Sequence, residues 1–229
     1  MSEPKTIGII GGMGPAATVD LFNKLVEATG AATDQDHLRI LIDNNPRIPN
    51  RNDAIAGIGP SPAPHLAASA RGLQQAGADV LVIACNTAHA FQADIEAAVT
   101  IPLISMIEAT ADAAGDVDRV GVLAADGCRG AHLYHRAFEQ RGVTPLFLDD
   151  ATQAEFMKLI FRVKAGHMGA DVQRRMESMA QHLYARGAKA IIAACTEVPL
   201  VLAPDALAVP LINSTDALVS RAIAYAKGN

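Results

Sequence analysis

Apolar residues in this chain gather in short, unbroken runs rather than in long amphipathic stripes alone. Val80-Leu81-Val82-Ile83-Ala84 is the clearest run, set off by Gly77 and ended by Cys85 and small polar residues. A β-branched run of this length reads as a strand buried on both faces, the pattern of a parallel sheet. Similar runs at Ile7 to Ile10, Val120 to Ala124 and Ala190 to Ala194 are separated by helical periodicities. The predicted strands are Thr6 to Ile10, Leu38 to Ile42, the run before Cys85, Leu103 to Met106, Val120 to Ala124, Thr144 to Leu148, the run before Cys195, and Leu211-Ile212. The predicted helices run from Pro15 to about Gly30, His65 to Ala76, Thr87 to Val99, Glu108 to Gly115, beyond Cys128 to Arg141, Gln153 to Lys164, Ala170 to Ala185 and Thr215 to Lys227. Pro15 suits a first helical position, where its missing N–H costs nothing. Strands alternating with helices predict an α/β fold with parallel sheets flanked by helices.

The pattern is stated twice. Gly77 and Gly187 are 110 positions apart, as are Cys85 and Cys195. Ile101-Pro102-Leu103-Ile104 returns as Val209-Pro210-Leu211-Ile212 at an offset of 108, and Ile7-Gly8-Ile9-Ile10 returns as Val120-Gly121-Val122-Leu123 at 113. Three blocks in one order imply two copies of an α/β unit. The expected lobes are residues 1–106 with 213–229, and residues 107–212, related by a pseudo-twofold axis with a cleft between them. The connection from Asp43 to Pro64, rich in Pro, Asn and Gly, is either a stiff lid or a surface excursion.

Composition narrows the classes of partner. The chain has 229 residues, 19 basic and 24 acidic, for a net charge of −5, with 4% aromatics and no Trp. Such a balance offers no basic footprint for nucleic acid and no stacking platform for bases. No apolar run approaches the roughly 20 residues of a membrane span, and Met1-Ser2-Glu3-Pro4-Lys5 leads straight toward a strand without a signal-peptide core. Three cysteines, an odd number, suit a reducing cytoplasm better than a disulfide framework.

Cys85 and Cys195 are the candidate chemistry. A lone cysteine at a strand end is usually a small buried hydrophobe. Two at repeat-equivalent strand ends are expected at the cleft, where open α/β sheets bind ligands, and a helix start beyond each is expected to lower the thiol pKa. A thiol on each side of a small substrate suits removal of a proton from one face of a stereocentre and delivery of a proton to the other. His89 permits a Cys–His reading for Cys85, but Cys195 has no counterpart. No paired ligand spacing favours zinc. The turn Gly11-Gly12-Met13-Gly14 is not the G-x-G-x-x-G of a dinucleotide site.

Gly11-Gly12-Met13-Gly14-Pro15-Ala16-Ala17-Thr18, Cys85-Asn86-Thr87-Ala88-His89 and Cys195-Thr196-Glu197 resemble the aspartate racemase branch of the aspartate/glutamate racemase family. Asn45-Pro46, Ile48-Pro49, Arg51 and Ser105 to Thr110 extend the resemblance over essentially the whole chain. It implies a racemase of amino acids, aspartate and/or glutamate first, working as a homodimer without pyridoxal phosphate or metal and with Cys85 and Cys195 as catalysts. It also implies that Arg51 and Lys164 hold a distal carboxylate, which a guanidinium grips with two hydrogen bonds. Asn86, Thr87 and Thr196 would bind the α-carboxylate, aided by backbone N–H groups. Met13 would line the pocket or pack in the core, and Glu197 would orient Cys195 or serve only as a first-turn acid. Ala125 and Cys128 stand where the branch usually carries Thr, which unsettles aspartate as the preferred substrate. Asp126 would add negative charge there, and Cys128 reads as packing. Hydantoin racemisation, maleate isomerisation, arylmalonate-type decarboxylation, a racemase of other specificity and a silent ligand binder are the alternatives.

Overall fold

The computed structural model describes residues Pro4 to Gly228. Met1 to Glu3, expected to lead directly toward the first strand, and Asn229 lie outside the described residues. The first sheet has strands β1 (Ile7–Gly11), β2 (Ile40–Asn44) and β3 (Val80–Ile83), all parallel in the order β2-β1-β3. The second has β4 (Arg119–Ala124), β5 (Thr144–Phe147), β6 (Ala190–Ala194) and β7 (Leu211–Asn213), parallel in the order β5-β4-β6-β7. Strands β1, β3, β4 and β6 are buried along nearly their whole length, as their unbroken apolar runs require.

Ten α-helices cover the sheets among the described residues: α1 (Pro15–Thr29), α2 (Arg51–Ile55), α3 (Ala63–Gln75), α4 (Gln92–Glu96), α5 (Met106–Ala113), α6 (Asp126–Gly130), α7 (Leu133–Glu139), α8 (Asp150–Lys164), α9 (Ala170–Ala185) and α10 (Ser214–Lys227). Leu218, Val219, Ala222 and Ala226 of α10 share a buried cluster with Ile7, Ile9 and Val80 of the first sheet. Ile107, Ala111 and Ala114, from α5 and its C-terminus, pack instead with Val120 and Ile192 of the second sheet and Phe138 of α7. The two helices that follow the Pro-Leu-Ile blocks therefore cross over, and each ties the sheet it leaves to the other one.

Several sequence expectations change. Leu103 to Met106 is not a strand: Leu103 makes a single parallel bridge to Leu81, and the Ser105 hydroxyl then accepts from Glu108 N–H and starts α5 at Met106. The helix expected from Thr87 to Val99 is a 3-10 helix, Thr87–Phe91, followed by the short α4. The Asp43 to Pro64 connection contains α2, whose N-cap Asn50 accepts from Asn52 N–H. The helix expected beyond Cys128 starts earlier, as α6 with Ala125 as its N-cap, and His132, in the left-handed region at φ 54°, separates α6 from α7. Among the described residues, no helix is long and apolar enough to cross a membrane.

Candidate active site

Cys85 lies just beyond β3 and Cys195 directly beyond β6, at the carboxyl ends of the repeat-equivalent strands of the two sheets. Both are 7% exposed, and both line one cavity between the lobes. The remaining wall comes from the β1–α1 turn (Met13), α2 (Arg51, Asn52), the segments after the thiols (Asn86, Thr87, Thr196, Glu197), Ala125, and α8 (Met157, Ile160, Phe161, Lys164). All nine residues singled out from the sequence therefore meet at one place. The cavity leaves about 30 Å³ for the centre of a water-sized sphere, room for roughly two waters, so an amino acid enters only if the walls part.

The surroundings of the two sulfurs differ. Cys195 Sγ donates to Glu197 Oε2 at 3.0 Å, and Thr196 Oγ1 lies 3.3 Å from the same oxygen. Glu197 is almost wholly buried and pairs through Oε1 with Lys164 Nζ, which also donates to Met13 O at 3.1 Å. Burial, reinforced by the Glu197 carboxylate, pushes the Cys195 thiol well above its ordinary pKa, and Lys164 only partly opposes this. The expected lowering at a helix start is thus overturned for Cys195: only a three-residue 3-10 turn follows it, and burial of the thiol with the Glu197 carboxylate outweighs so short a dipole. Burial also works against the Lys164 ammonium, but Glu197 and the two sulfurs outweigh it and hold its pKa above the lysine norm.

His89 is not a base for Cys85. Its Nδ1 donates to Cys85 O at 3.0 Å and lies 3.2 Å from Asn86 O, while Nε2 accepts from Met106 N–H at 3.0 Å. Both nitrogens are spent on backbone, which fixes the neutral Nδ1–H tautomer, and burial lowers the pKa to about 4. The Asn86 side chain is likewise committed. Its Nδ2 donates to Ser214 Oγ at 3.1 Å, and its Oδ1 accepts from Tyr134 O–H at 2.6 Å. Ser214 Oγ in turn donates to Ala193 O at 2.8 Å, so the network stitches the lobes together behind the cavity.

Arg51 is anchored by backbone carbonyls: Nη1 donates to Ile48 O and Pro49 O, and Nη2 to Met13 O. Met13 is 2% exposed and belongs to the first-lobe core, so it both packs and lines the cavity. Asp126 does not join the wall; Gln153 Nε2 holds its carboxylate at 2.7 Å. Cys128 is fully buried among Tyr134 and Phe138, and burial with nearby Cys85 raises its pKa.

A family model described as Asp/Glu/hydantoin racemase matches residues 10–222. This chain belongs to the Asp/Glu/hydantoin racemase family. Among its relatives, the broad specificity amino-acid racemase RacX of Bacillus subtilis is 27% identical over 232 residues, spanning 96% of this chain and 99% of RacX. The aspartate racemase of Picrophilus torridus superposes with a TM-score of 0.84 at 29% identity, covering 97% of this chain and 94% of its own. Glutamate racemase of Francisella tularensis, in complex with D-glutamate, shares the fold at a TM-score of 0.74 and 19% identity, covering 99% of this chain and 82% of its own.

The protein is thus an isomerase of the racemase type with two parallel-sheet lobes. The residues that sequence reading missed in this racemase are Asn52, Met157, Ile160 and Phe161. Asn52 Oδ1 accepts from Gly127 N–H at 2.8 Å across the lobes. Its neighbour Arg51 was visible in the Pro-rich motif, but an Asn in an Asn-rich connection carried no distinguishing signal. The three α8 residues lie on the turns before Lys164, three, four and seven positions from it, so the helix that presents the lysine presents them too.

Proposed function

We propose that this racemase interconverts L- and D-amino acids by a two-base mechanism in which Cys85 and Cys195 act from opposite faces of Cα. The observation that carries the reading is the meeting of two repeat-equivalent thiols in one cavity. In one direction the Cys85 thiolate takes the α-proton, and the C–H electron pair moves into the α-carboxylate. The Cys195 S–H bond then breaks to protonate the other face, leaving Cys85 protonated and Cys195 a thiolate. The reverse reaction exchanges these tasks. The raised pKa of Cys195 and its hydrogen bond to Glu197 fit a resting thiol ready to donate.

Thr87, Thr196 and the backbone N–H groups beside the thiols are the proposed holders of the α-carboxylate. Asn86 contributes by backbone only, because its amide is bound to Ser214 and Tyr134. An acidic amino acid, aspartate and/or glutamate, is supported by the approach of Arg51 and Lys164 to one point. A broader specificity is supported by the apolar wall of Ala125, Met157, Ile160 and Phe161. In this reading the lobes are 1–106 with 213–229 and 107–212, and the resemblance supports a cytoplasmic homodimer. Chiral chromatography of single enantiomers of a broad amino-acid panel tests the activity: the mirror form should accumulate to an equal mixture for at least one acidic member. Inversion of none of them rejects the reading.

A further inference from the structure

Arg51 and Lys164 reach the cavity from different lobes, yet they donate to the same atom. Arg51 Nη2 and Lys164 Nζ each lie 3.1 Å from Met13 O. Two full positive charges on one neutral carbonyl are better matched to an anion, since charge-assisted hydrogen bonds are roughly twice as strong as neutral ones. Arg51 also has an unspent donor there. Its Nε is buried without a hydrogen-bond partner, and Nε with Nη2 forms the guanidinium edge that grips a carboxylate side-on. The other contacts would hold both cations in place without Met13 O: Arg51 Nη1 stays on Ile48 O and Pro49 O, and Lys164 on Glu197.

Resting on the racemase reading above, we propose that the Met13–Gly14 peptide is a substrate-displaced plug in a two-cation carboxylate socket. With the carbonyl in, the socket is filled and the site takes neutral amino acids against its apolar wall. With the carbonyl turned out, the socket takes the distal carboxylate of an acidic one. The peptide therefore sets substrate breadth.

The turn is built for such a rotation. Thr18 clamps both sides of it: Gly12 N–H donates to Thr18 Oγ1 at 2.9 Å, Thr18 Oγ1 donates to Gly14 O at 3.1 Å, and Thr18 N–H donates to Gly14 O at 3.2 Å. A Cβ on Gly12 would lie 2.3 Å from the Asn45 backbone, so that side has no slack. Gly14 sits at φ −106° and ψ 164°, extended backbone open to any residue. Turning over the Met13–Gly14 peptide reverses that φ to roughly +75° with ψ kept near 164°, a region essentially restricted to glycine. Alanine at position 14 fits the observed state, its Cβ 3.4 Å from Glu197 Oε1 and 3.6 Å from Lys164 Nζ, but penalises the turned one.

Two experiments decide the matter. Gly14→Ala should lower the ratio of kcat/KM for aspartate or glutamate to that for a neutral substrate such as methionine by roughly ten-fold or more. An unchanged ratio overturns the proposal, as does a wild-type enzyme that turns over acidic substrates and no neutral ones. The second uses wild-type protein and is independent of how the variant folds. Carbonyl-labelled methionine with ¹⁵N-glycine lights up only the Met–Gly peptides, Met13–Gly14 and Met168–Gly169. Saturating succinate should move the Gly14 signal and leave Gly169 in place, with butyrate, which lacks the second carboxylate, as the control. A Gly14 signal unmoved by succinate, or moved equally by butyrate, overturns the plug. Because this readout needs no turnover, it stays informative if no amino acid is inverted and the racemase reading alone fails.

Discussion

The two lobes are alike in skeleton and unlike around their sulfurs. A Cβ built on Gly8 would meet Leu73, Ala78 and Leu81, and one built on Gly121 would meet Leu183, Ala188 and Ile191, each partner 110 positions after its counterpart. The cysteines end their strands with the same 7% exposure. Beyond them the likeness stops. Glu197 binds Cys195, whereas the residue two positions after Cys85 is Thr87. His89 braces the first lobe through backbone atoms, and the equivalent position in the second is Pro199. Packing has kept the duplicated geometry that brings two thiols to one cavity, while the polar shell has diverged so that one sulfur donates to a buried carboxylate.

The largest expected effect breaks the pairing itself. Cys85→Ser and Cys195→Ser should each cut racemisation by about 10³-fold, within the range for loss of an acid–base group. A chiral assay showing near-normal turnover in either variant would mean that the sulfurs are not equivalent halves of one machine.

Next comes the one-sided histidine. The His89 pKa of about 4 lies below its unfolded value near 6.5, so the unfolded chain binds the proton first as pH falls. The stability contribution is complete above pH 6.5 and is lost on acidification toward pH 4, by on the order of 3 kcal/mol. Urea unfolding of wild type and His89→Gln across this window should diverge in slope; parallel curves would assign acid sensitivity to other groups.

The skeleton is probed by Gly8→Ala and Gly121→Ala, each forcing a methyl to within 3 Å of its neighbours and expected to cost about 2 kcal/mol, typical of overpacking. Similar losses in denaturant midpoints support matched packing, and a loss in one variant alone would show that the lobes are not packed alike.

Glu197→Gln should have the smallest effect, a fall of about ten-fold in kcat/KM, the loss expected when a hydrogen bond to a charged group goes. Because enantiomers are equal in free energy, kcat/KM must fall equally in both directions. The asymmetry of the shell should appear instead as different splits of kcat and KM for the L and D substrates, and identical splits would reduce Glu197 to a structural acid.

Much of this was legible in the sequence because burial writes itself into unbroken apolar runs. The repeats of Gly77, Cys85 and Ile101 carried the two-lobe plan, and the shared cavity gathered every residue singled out. Local signals were misread where a cap decides the outcome: Ser105 and Glu108 spell a helix start, yet the apolar Leu103-Ile104 before them suggested a strand. Asn50 capped a helix inside what looked like a loop. Partners distant in sequence left no trace, as with Asn86, Tyr134 and Ser214, so a predicted carboxylate ligand proved to be part of an interlobe tie. The Cys195 thiol pKa departs from the sequence expectation because a helix start can be read from sequence, while the burial of the thiol and the Glu197 carboxylate beside it cannot.

Two groups acting on opposite faces leave a signature in the first turnovers. A pure enantiomer incubated in deuterated water should give product carrying solvent deuterium at Cα from the earliest times, while the remaining substrate keeps its protium. Inverted product that retains the original α-hydrogen would contradict the account, because one group would then have carried the same proton from face to face.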